Sequence, residues 1–583
     1  MQKTNESEMM NMRHTLAHLL AAAVLEIYPD TKNTIGPAID NGFYYDFEFV
    51  SPINEKDLPK IEEKMKSLLK DWKKFEHEEK SEKEAKEIFK DNQYKIELID
   101  EIVKKDEKIT LYTCGGFTDL CRGGHVEHPY KDIDPAGFKL SHIAGAYWRG
   151  NEKNKMLTRI YGLAFETKER LDEYETQKIE AEKRDHKKLG KELDLFTFSE
   201  LIGSGLPLWT PRGTIIRGAL DNFVWELRSK YDYQKVEIPH ITKKDLYETS
   251  GHWDKFKEEL FKITTREGHL FAMKPMNCPH HTQIYARKPH SYKELPQRYA
   301  NTTACYRDEQ SGELSGLSRV RSFAQDDAHV FCRMNQVKDE FLKIWNIVNT
   351  FYGVFGFNLK VRLSIHDPKY PDKYLGDKDR WELAEGILRE IVNEKNIEWY
   401  EGLGEAAFYG PKLDFMMKDA IGREWQVATI QLDMNMPERF DLTCMNEEGE
   451  KERIVMIHAA IMGSIERFFS ILIEHTAGNF PLWLSPIQVK IIPIGNDHHA
   501  KAVEVYDLLR KKMVRAEIDL SNNGFGKKVR EAKVMKIPYF IIIGDKDITA
   551  GKITLESRDE GQIGQLDAEE VVNKIVEEIN SRS

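Results

Sequence analysis

Between Arg298 and Phe331 the chain reads RYANTTACYRDEQSGELSGLSRVRSFAQDDAHVF. Two strand-like stretches joined by a Gly- and Ser-containing loop over 311–318 predict an antiparallel hairpin with an extended tip. Counting in twos along the second stretch puts Arg319, Arg321, Phe323, Gln325, Asp327 and His329 on one face and Val320, Ser322, Ala324, Ala328 and Val330 on the other. The first stretch offers Cys305, Arg307 and Glu309 in the same way. A face this polar is either solvated, with incidental ion pairs, or the wall of a site. An aromatic ring, two guanidinium groups and a His beside an Asp favour the site, of the kind that holds a nucleotide and a metal.

Elsewhere the periodicity is mostly helical. RHTLAHLLAAAVLEIY (13–28) predicts a helix with His14 and His18 one turn apart. Residues 55–106, rich in Glu and Lys at helical spacing, predict solvated helices, and 165–192 predict a charged helical connector laced with i,i+4 pairs. From Thr210 an amphipathic helix leads to a strand containing Pro239. The last hundred residues alternate strands (VKIIPI, AEIDL, YFIIIG, ITLES) with helices, which predicts an α/β module with a largely parallel sheet. The boundaries are then 1–164, 165–192, 193–483 and 484–583.

Composition narrows the class. With 583 residues the chain has room for roughly four domains. It is 40% apolar and 31% charged, and its richest apolar runs are too short to span a bilayer. The opening dozen residues have no secretory pattern, and the six cysteines form no CxxC pair, so a reducing cytoplasm is expected. The net charge of −11 argues against a nucleic-acid partner, because binding RNA requires neutralising phosphates. Local distribution differs: 510–536 holds nine Lys or Arg against three acidic residues, a basic face compatible with a polyanion that must also be released.

Two pairs stand out by spacing, His14 with His18 and Cys121 with His125. Spacing alone fits a zinc ligand set and two unrelated surface pairs equally well.

The hairpin, with its Arg-x-Glu, Ser-Gly-x-Leu, Arg-Val-Arg, Phe and Gln-Asp-Asp-Ala-His elements, resembles the second signature motif of class II aminoacyl-tRNA synthetases, and specifically of threonyl-tRNA synthetases. TPRGTIIRGALDNFVWELRSKYDYQKVEIPHI resembles the first motif, and Gly463, Ser464 and Arg467 match the third. The resemblance implies an α+β multidomain chain. Its parts are an α+β editing domain, a class II antiparallel-sheet catalytic domain and a C-terminal α/β anticodon-binding domain, in a cytoplasmic homodimer. The form implied lacks the small ubiquitin-like domain that often precedes the editing segment.

The resemblance also implies ATP-dependent activation of L-threonine, transfer to tRNA(Thr), and hydrolysis of mischarged seryl-tRNA(Thr). It gives Arg307 the α-phosphate, Arg467 the γ-phosphate, Phe323 and Glu309 the adenine, and Asp327 the substrate amine and hydroxyl. Met276, Arg319, Gln325, Tyr409, Lys412, Gln426, Thr429, Gln431 and Ser464 become further substrate or ATP positions, with Mg²⁺ accompanying the ATP. Gln426, Thr429 and Gln431 have mixed parity, so facing one pocket together requires a bulge between Gln426 and Thr429. One zinc ion is implied on Cys278, His329 and His458, a set that argues against the prolyl and seryl relatives. Editing falls to a metal-free pocket of His14, His18, Tyr44, Lys95, Asp119, Cys121 and His125. Three positions depart from the pattern. His280 stands where Gly is usual and introduces a further imidazole near the metal; Gly124 replaces a Pro; and Glu556 replaces an Arg of the anticodon module, with Arg558 two residues on sharing its face.

Overall fold

The computed structural model describes residues 6–395 and 397–582. They form two compact units, Met1–Ile179 and Glu180–Ser583. The division falls inside the charged connector, which is two helices, Lys168–Arg184 and His186–Glu192, because Asp185 leaves helical geometry (φ −50°, ψ 119°) to cap the second.

In the first unit, helix Glu6–Ile27 buries nearly every residue from Leu16 to Val24. Its small Ala side chains let it pack closely on helix Leu58–Leu69 and strand Gly42–Glu48. That strand belongs to a five-stranded sheet with Lys32–Asn33, Ala38–Ile39, Met156–Ala164 and Phe138–Tyr147. A second sheet of Glu76–Lys80, Ile109–Cys114 and Phe117–Leu120 lies in the same unit. The expectation of solvated helices over 55–106 needs correction twice. EHEEK is a strand because Ile109–Cys114 supplies a hydrogen-bonding partner, and helix Gln93–Lys104 buries Tyr94, Lys95 and Ile99.

The second unit is built on an eight-stranded sheet in the order Gln234–Lys235, Gln297–Tyr306, Ser322–Cys332, Val455–Ser464, Glu424–Asp433, Lys412–Lys418, Leu359–Ile365, Trp399–Leu403. All pairs are antiparallel except the outermost at each end. Helices Pro211–Ser229, Val337–Gly353 and Ile465–Thr476 contribute buried apolar residues to the same core. The hairpin is present, but its second strand starts at Ser322, so Arg319 and Arg321 precede the ladder instead of standing on its face. The strand after the amphipathic helix is only Gln234–Lys235, and Pro239 lies beyond it.

The C-terminal sheet is half parallel. Ala516–Ile518, Val489–Pro493 and Tyr539–Ile543 run parallel, whereas Ile553–Ser557 and an unanticipated fifth strand, Gly561–Leu566, are antiparallel. The link from Ile543 to Ile553 is too short for a parallel crossover.

Candidate active sites

One face of the eight-stranded sheet carries a cavity of about 620 Å³. Its wall brings together Met276, Arg307, Glu309, Arg319, Phe323, Gln325, Asp327, Tyr409, Gln426, Thr429, Gln431, His458, Ser464 and Arg467. Trp425 and Met462, which no sequence signal marked, also line it. Arg321 does not; its guanidinium donates to the carbonyls of Glu309 (2.9 Å) and Ser204 (3.2 Å).

The charges on the wall are unbalanced. Arg319 is paired with Glu309 (2.7 Å) and Glu313 (3.0 Å). Among the described residues, neither Arg307 nor Arg467 has a carboxylate within ion-pair reach. Arg307 contacts the Met276 sulfur at 3.2 Å, and its buried Nε has no hydrogen-bond partner among the described residues. Arg467 has its pKa lowered by burial and then by the like charge of Arg319. The start of its helix is fixed by Ser464, whose hydroxyl accepts the Arg467 backbone N–H at 3.2 Å. The neighbouring Glu466 accepts the Ala324 N–H at 2.8 Å, tying the helix to the hairpin.

The required bulge is there. Gln426 pairs with Met416 and Ala428 with Phe415, so Val427 is the extra residue, and Gln426, Thr429 and Gln431 all reach the cavity. Behind them Asp414, fully buried, accepts from Gln426 (2.8 Å) and Thr429 (3.0 Å) on one oxygen, and from Lys412 (2.8 Å), Ser364 (2.7 Å) and Arg362 (3.0 Å) on the other. Lys412 therefore stands beside the wall, not on it.

At the cavity wall, His458 meets Cys278 and His329. Their ligand atoms lie within 4.8 Å of one another, and all three residues are buried. His458 Nε2 faces Asp433 at 2.9 Å, so it carries the proton and leaves the Nδ1 lone pair directed at His329 Nε2, 3.1 Å away. His329 Nδ1 is in turn 2.7 Å from His281. A thiol beside two imidazoles, each with an outer hydrogen-bonding partner, fits a zinc ion with an open position. His280 is not part of the cluster. Its ring turns toward Tyr247, 6.2 Å between centroids, and neither ring nitrogen has a partner among the described residues. The expected extra imidazole at the metal is thus directed elsewhere.

A second cavity, about 380 Å³, lies in the first unit and is lined by His14, His18, Lys95, Asp119 and Cys121 among others. His18 Nε2 is 3.3 Å and Cys121 Sγ 3.7 Å from His14 Nε2, and His125 Nε2 is 3.3 Å from Cys121 Sγ. His125 is stacked on Phe75 at 3.9 Å just behind. Burial lowers the pKa of all three imidazoles, His125 to about 2, and raises the Cys121 thiol to about 11. His14 Nδ1 is 3.2 Å from the Gly124 carbonyl, so it holds the proton and Nε2 keeps its lone pair, directed at His18 and Cys121. Gly124 sits at φ +85°, closed to proline, so this loop has its own conformation.

The tyrosine expectation is corrected. Strand alternation turns Tyr44 away, against Arg159 (3.8 Å), while Tyr45 enters the pocket and donates to Asp119 at 2.5 Å. Lys95 forms a buried ion pair with Asp119 and donates to the Tyr45 oxygen at 3.1 Å.

In the C-terminal module Glu556 is paired with Lys533 (2.9 Å). Arg558 donates to the carbonyls of Phe480 and Lys536, both at 3.1 Å, so it is held internally instead of replacing the missing Arg.

Residues 261–476 match the family described as tRNA synthetase class II core domain (G, H, P, S and T). Residues 488–578 match the anticodon binding domain, and 109–161 the threonyl and alanyl tRNA synthetase second additional domain. The threonine–tRNA ligase of Cytophaga hutchinsonii is 48% identical over 576 residues, covering 97% of this chain and 88% of the relative. That of Deinococcus radiodurans is 49% identical over 554 residues, covering 94% and 85%. Among solved structures, the RNA binding domain of threonyl-tRNA synthetase from Cryptosporidium parvum matches with a TM-score of 0.65 at 35% identity, over 67% of this chain and 98% of that one.

Proposed function

The chain belongs to the threonyl-tRNA synthetases, and from that premise we propose how its residues divide the work: ATP-dependent activation of L-threonine, transfer to tRNA(Thr), and hydrolysis of seryl-tRNA(Thr). The observation that carries the first step is a pair of arginines without counter-ions among the described residues, Arg307 and Arg467, on one wall of a 620 Å³ cavity. Unpaired guanidinium groups in a recess ask for a polyanion. Attack of the threonine carboxylate on the α-phosphate releases pyrophosphate and needs positioning and charge neutralisation, not a covalent enzyme intermediate. Arg307 holds the α-phosphate and carboxylate, Arg467 the γ-phosphate, and Phe323 the adenine face, with Glu309 at the adenine amino group. Mg²⁺ enters with the ATP.

Zinc held by Cys278, His329 and His458 would supply a Lewis-acid position for the substrate amine and β-hydroxyl. Asp327, on the cavity wall 3.7 Å from His329, faces the same substrate groups. A hydroxyl made obligatory rejects valine, but serine lacks only a methyl, worth about 1–3 kcal/mol. Serine must therefore be removed after transfer. In the first unit, His14 Nε2 accepts a proton from the attacking water, and the Tyr45, Lys95 and Asp119 network holds the frame. Hydrolysis proceeds by attack of water, and the Cys121 thiol, its pKa raised by burial, lines the pocket. The helix Pro211–Ser229 offers its outer face to a second copy, giving a homodimer.

Threonine-dependent ATP–pyrophosphate exchange tests the activation step: Arg307→Ala is expected to lower it by about 10²–10³-fold. Exchange that survives intact removes Arg307 from the mechanism.

A further inference from the structure

Helix His186–Glu192 begins with a buried imidazole, 3% exposed, wedged between two elements of the activation site. On one side His186 Nδ1 is 2.6 Å from Glu474 Oε1, near the end of the helix that carries Arg467. On the other, the backbone N–H of Leu317, in the loop of the hairpin, points at His186 Nε2 from 3.1 Å. A backbone N–H can only donate, so Nε2 accepts and Nδ1 carries the hydrogen that Glu474 receives. The ring is satisfied at both ends in one neutral tautomer.

The surroundings hold that arrangement. The His186 backbone N–H donates to the same Glu474 oxygen at 3.2 Å, while the other oxygen is taken by Arg423, itself 2.7 Å from Asp419. Gly316 has φ +51°, and a Cβ placed there would come within 2.3 Å of His186 Nε2, so the loop is moulded onto the ring. The next residues, Ser318 and Arg319, line the cavity, and the Ser318 hydroxyl is 3.0 Å from that of Ser470 on the Arg467 helix. His186, Leu317 and Glu474 themselves do not line it.

We propose that His186 is a positioning residue for the nucleotide: a two-ended clip that fixes the loop bearing Ser318 and Arg319 against the helix bearing Arg467, and so sets ATP affinity without touching ATP. The inference rests on the reading of this cavity as the ATP site. Packing alone would make any truncation of the ring lower stability and affect both substrates alike. The clip instead separates two atoms with two jobs. His186→Asn keeps a donor near the place of Nδ1 but offers Leu317 no acceptor; His186→Gln puts an oxygen near the place of Nε2.

The experiment is pyrophosphate exchange by the full chain, varying ATP at saturating threonine and threonine at saturating ATP. One lost hydrogen bond to the loop predicts that His186→Asn raises the ATP KM by about tenfold and the threonine KM by less than about twofold. His186→Gln should recover most of the ATP affinity. Gly316→Ala, which leaves the imidazole intact but crowds it, should reproduce the ATP-selective defect. An ATP KM within about twofold of the parent in both His186→Asn and Gly316→Ala would overturn the clip. So would an equal rise in both KM values. An unaltered chain with no threonine-dependent exchange would instead remove the ATP-site reading beneath it.

Discussion

Replacing Lys95 by Met tests the frame of the hydrolytic pocket. Lys95 and Asp119 are each about 2% exposed at the side chain and form an ion pair, with the Tyr45 hydroxyl donating to the same carboxylate and accepting from the ammonium. Tyr45 stays a phenol, because burial, and then Asp119, push its pKa well above the ordinary value. Removing the cation leaves a buried carboxylate without its charge partner. Breaking one half of a buried pair costs about 3–5 kcal/mol. For a unit of this size, about 2–4 °C per kcal/mol translates that into a fall of about 6–20 °C in its melting temperature. Calorimetry should show the loss in the transition of the first unit. Seryl-tRNA(Thr) deacylation should fall with it, while pyrophosphate exchange, which belongs to the other unit, should hold. Adding Asp119→Asn removes the stranded charge and should recover much of the stability. A single variant that melts with the parent, or a double variant no more stable than the single, would refute the argument.

Tyr45→Phe should slow deacylation and Tyr44→Phe should leave it unchanged, since only Tyr45 touches Asp119; the opposite pattern would reverse the assignment made from the strand phase. Purified protein should carry one zinc equivalent per chain, lost in Cys278→Ala together with threonine-dependent exchange; a second equivalent, lost in Cys121→Ala, would show that the first-unit cluster also takes metal. The first unit should lose stability on acidification. His125 titrates near 2 in the fold but near 6.5 unfolded, so between those values the unfolded chain binds the extra proton. The loss starts as pH falls below about 6.5 and reaches at most about 1.4 kcal/mol per pH unit for this residue, with His14 and His18 adding in the same direction. A urea midpoint constant from pH 7.5 to 5.5 would contradict it.

What the sequence revealed followed from local rules. His14 and His18 were readable because a helix brings i and i+4 together, and the bulge near Val427 because Gln426 and Thr429 cannot otherwise face one way. Their neighbours were harder. In GFYYDF nothing local says which tyrosine points inward; the phase of strand Gly42–Glu48 is fixed by its pairing with Met156–Ala164, more than a hundred residues away. EHEEK looks helical until a partner strand takes its backbone. Cys278, His329 and His458 come from a helix and two different strands, so no spacing could have grouped them; only resemblance did. Asp414 and His186 escaped notice for another reason. Each acts by holding other residues, and a buried group that touches no ligand looks like any core polar residue until its partners are known.

The single extra residue at Val427 makes the cavity wall dependent on chain length more than on side-chain identity. Excising it would leave a ladder without interruption and swing Gln426 to the far surface of the sheet, out of reach of both Asp414 and the cavity. Any one-residue indel in this strand is thus a more drastic change than substituting any one of its side chains, because it reassigns which half of the strand faces chemistry.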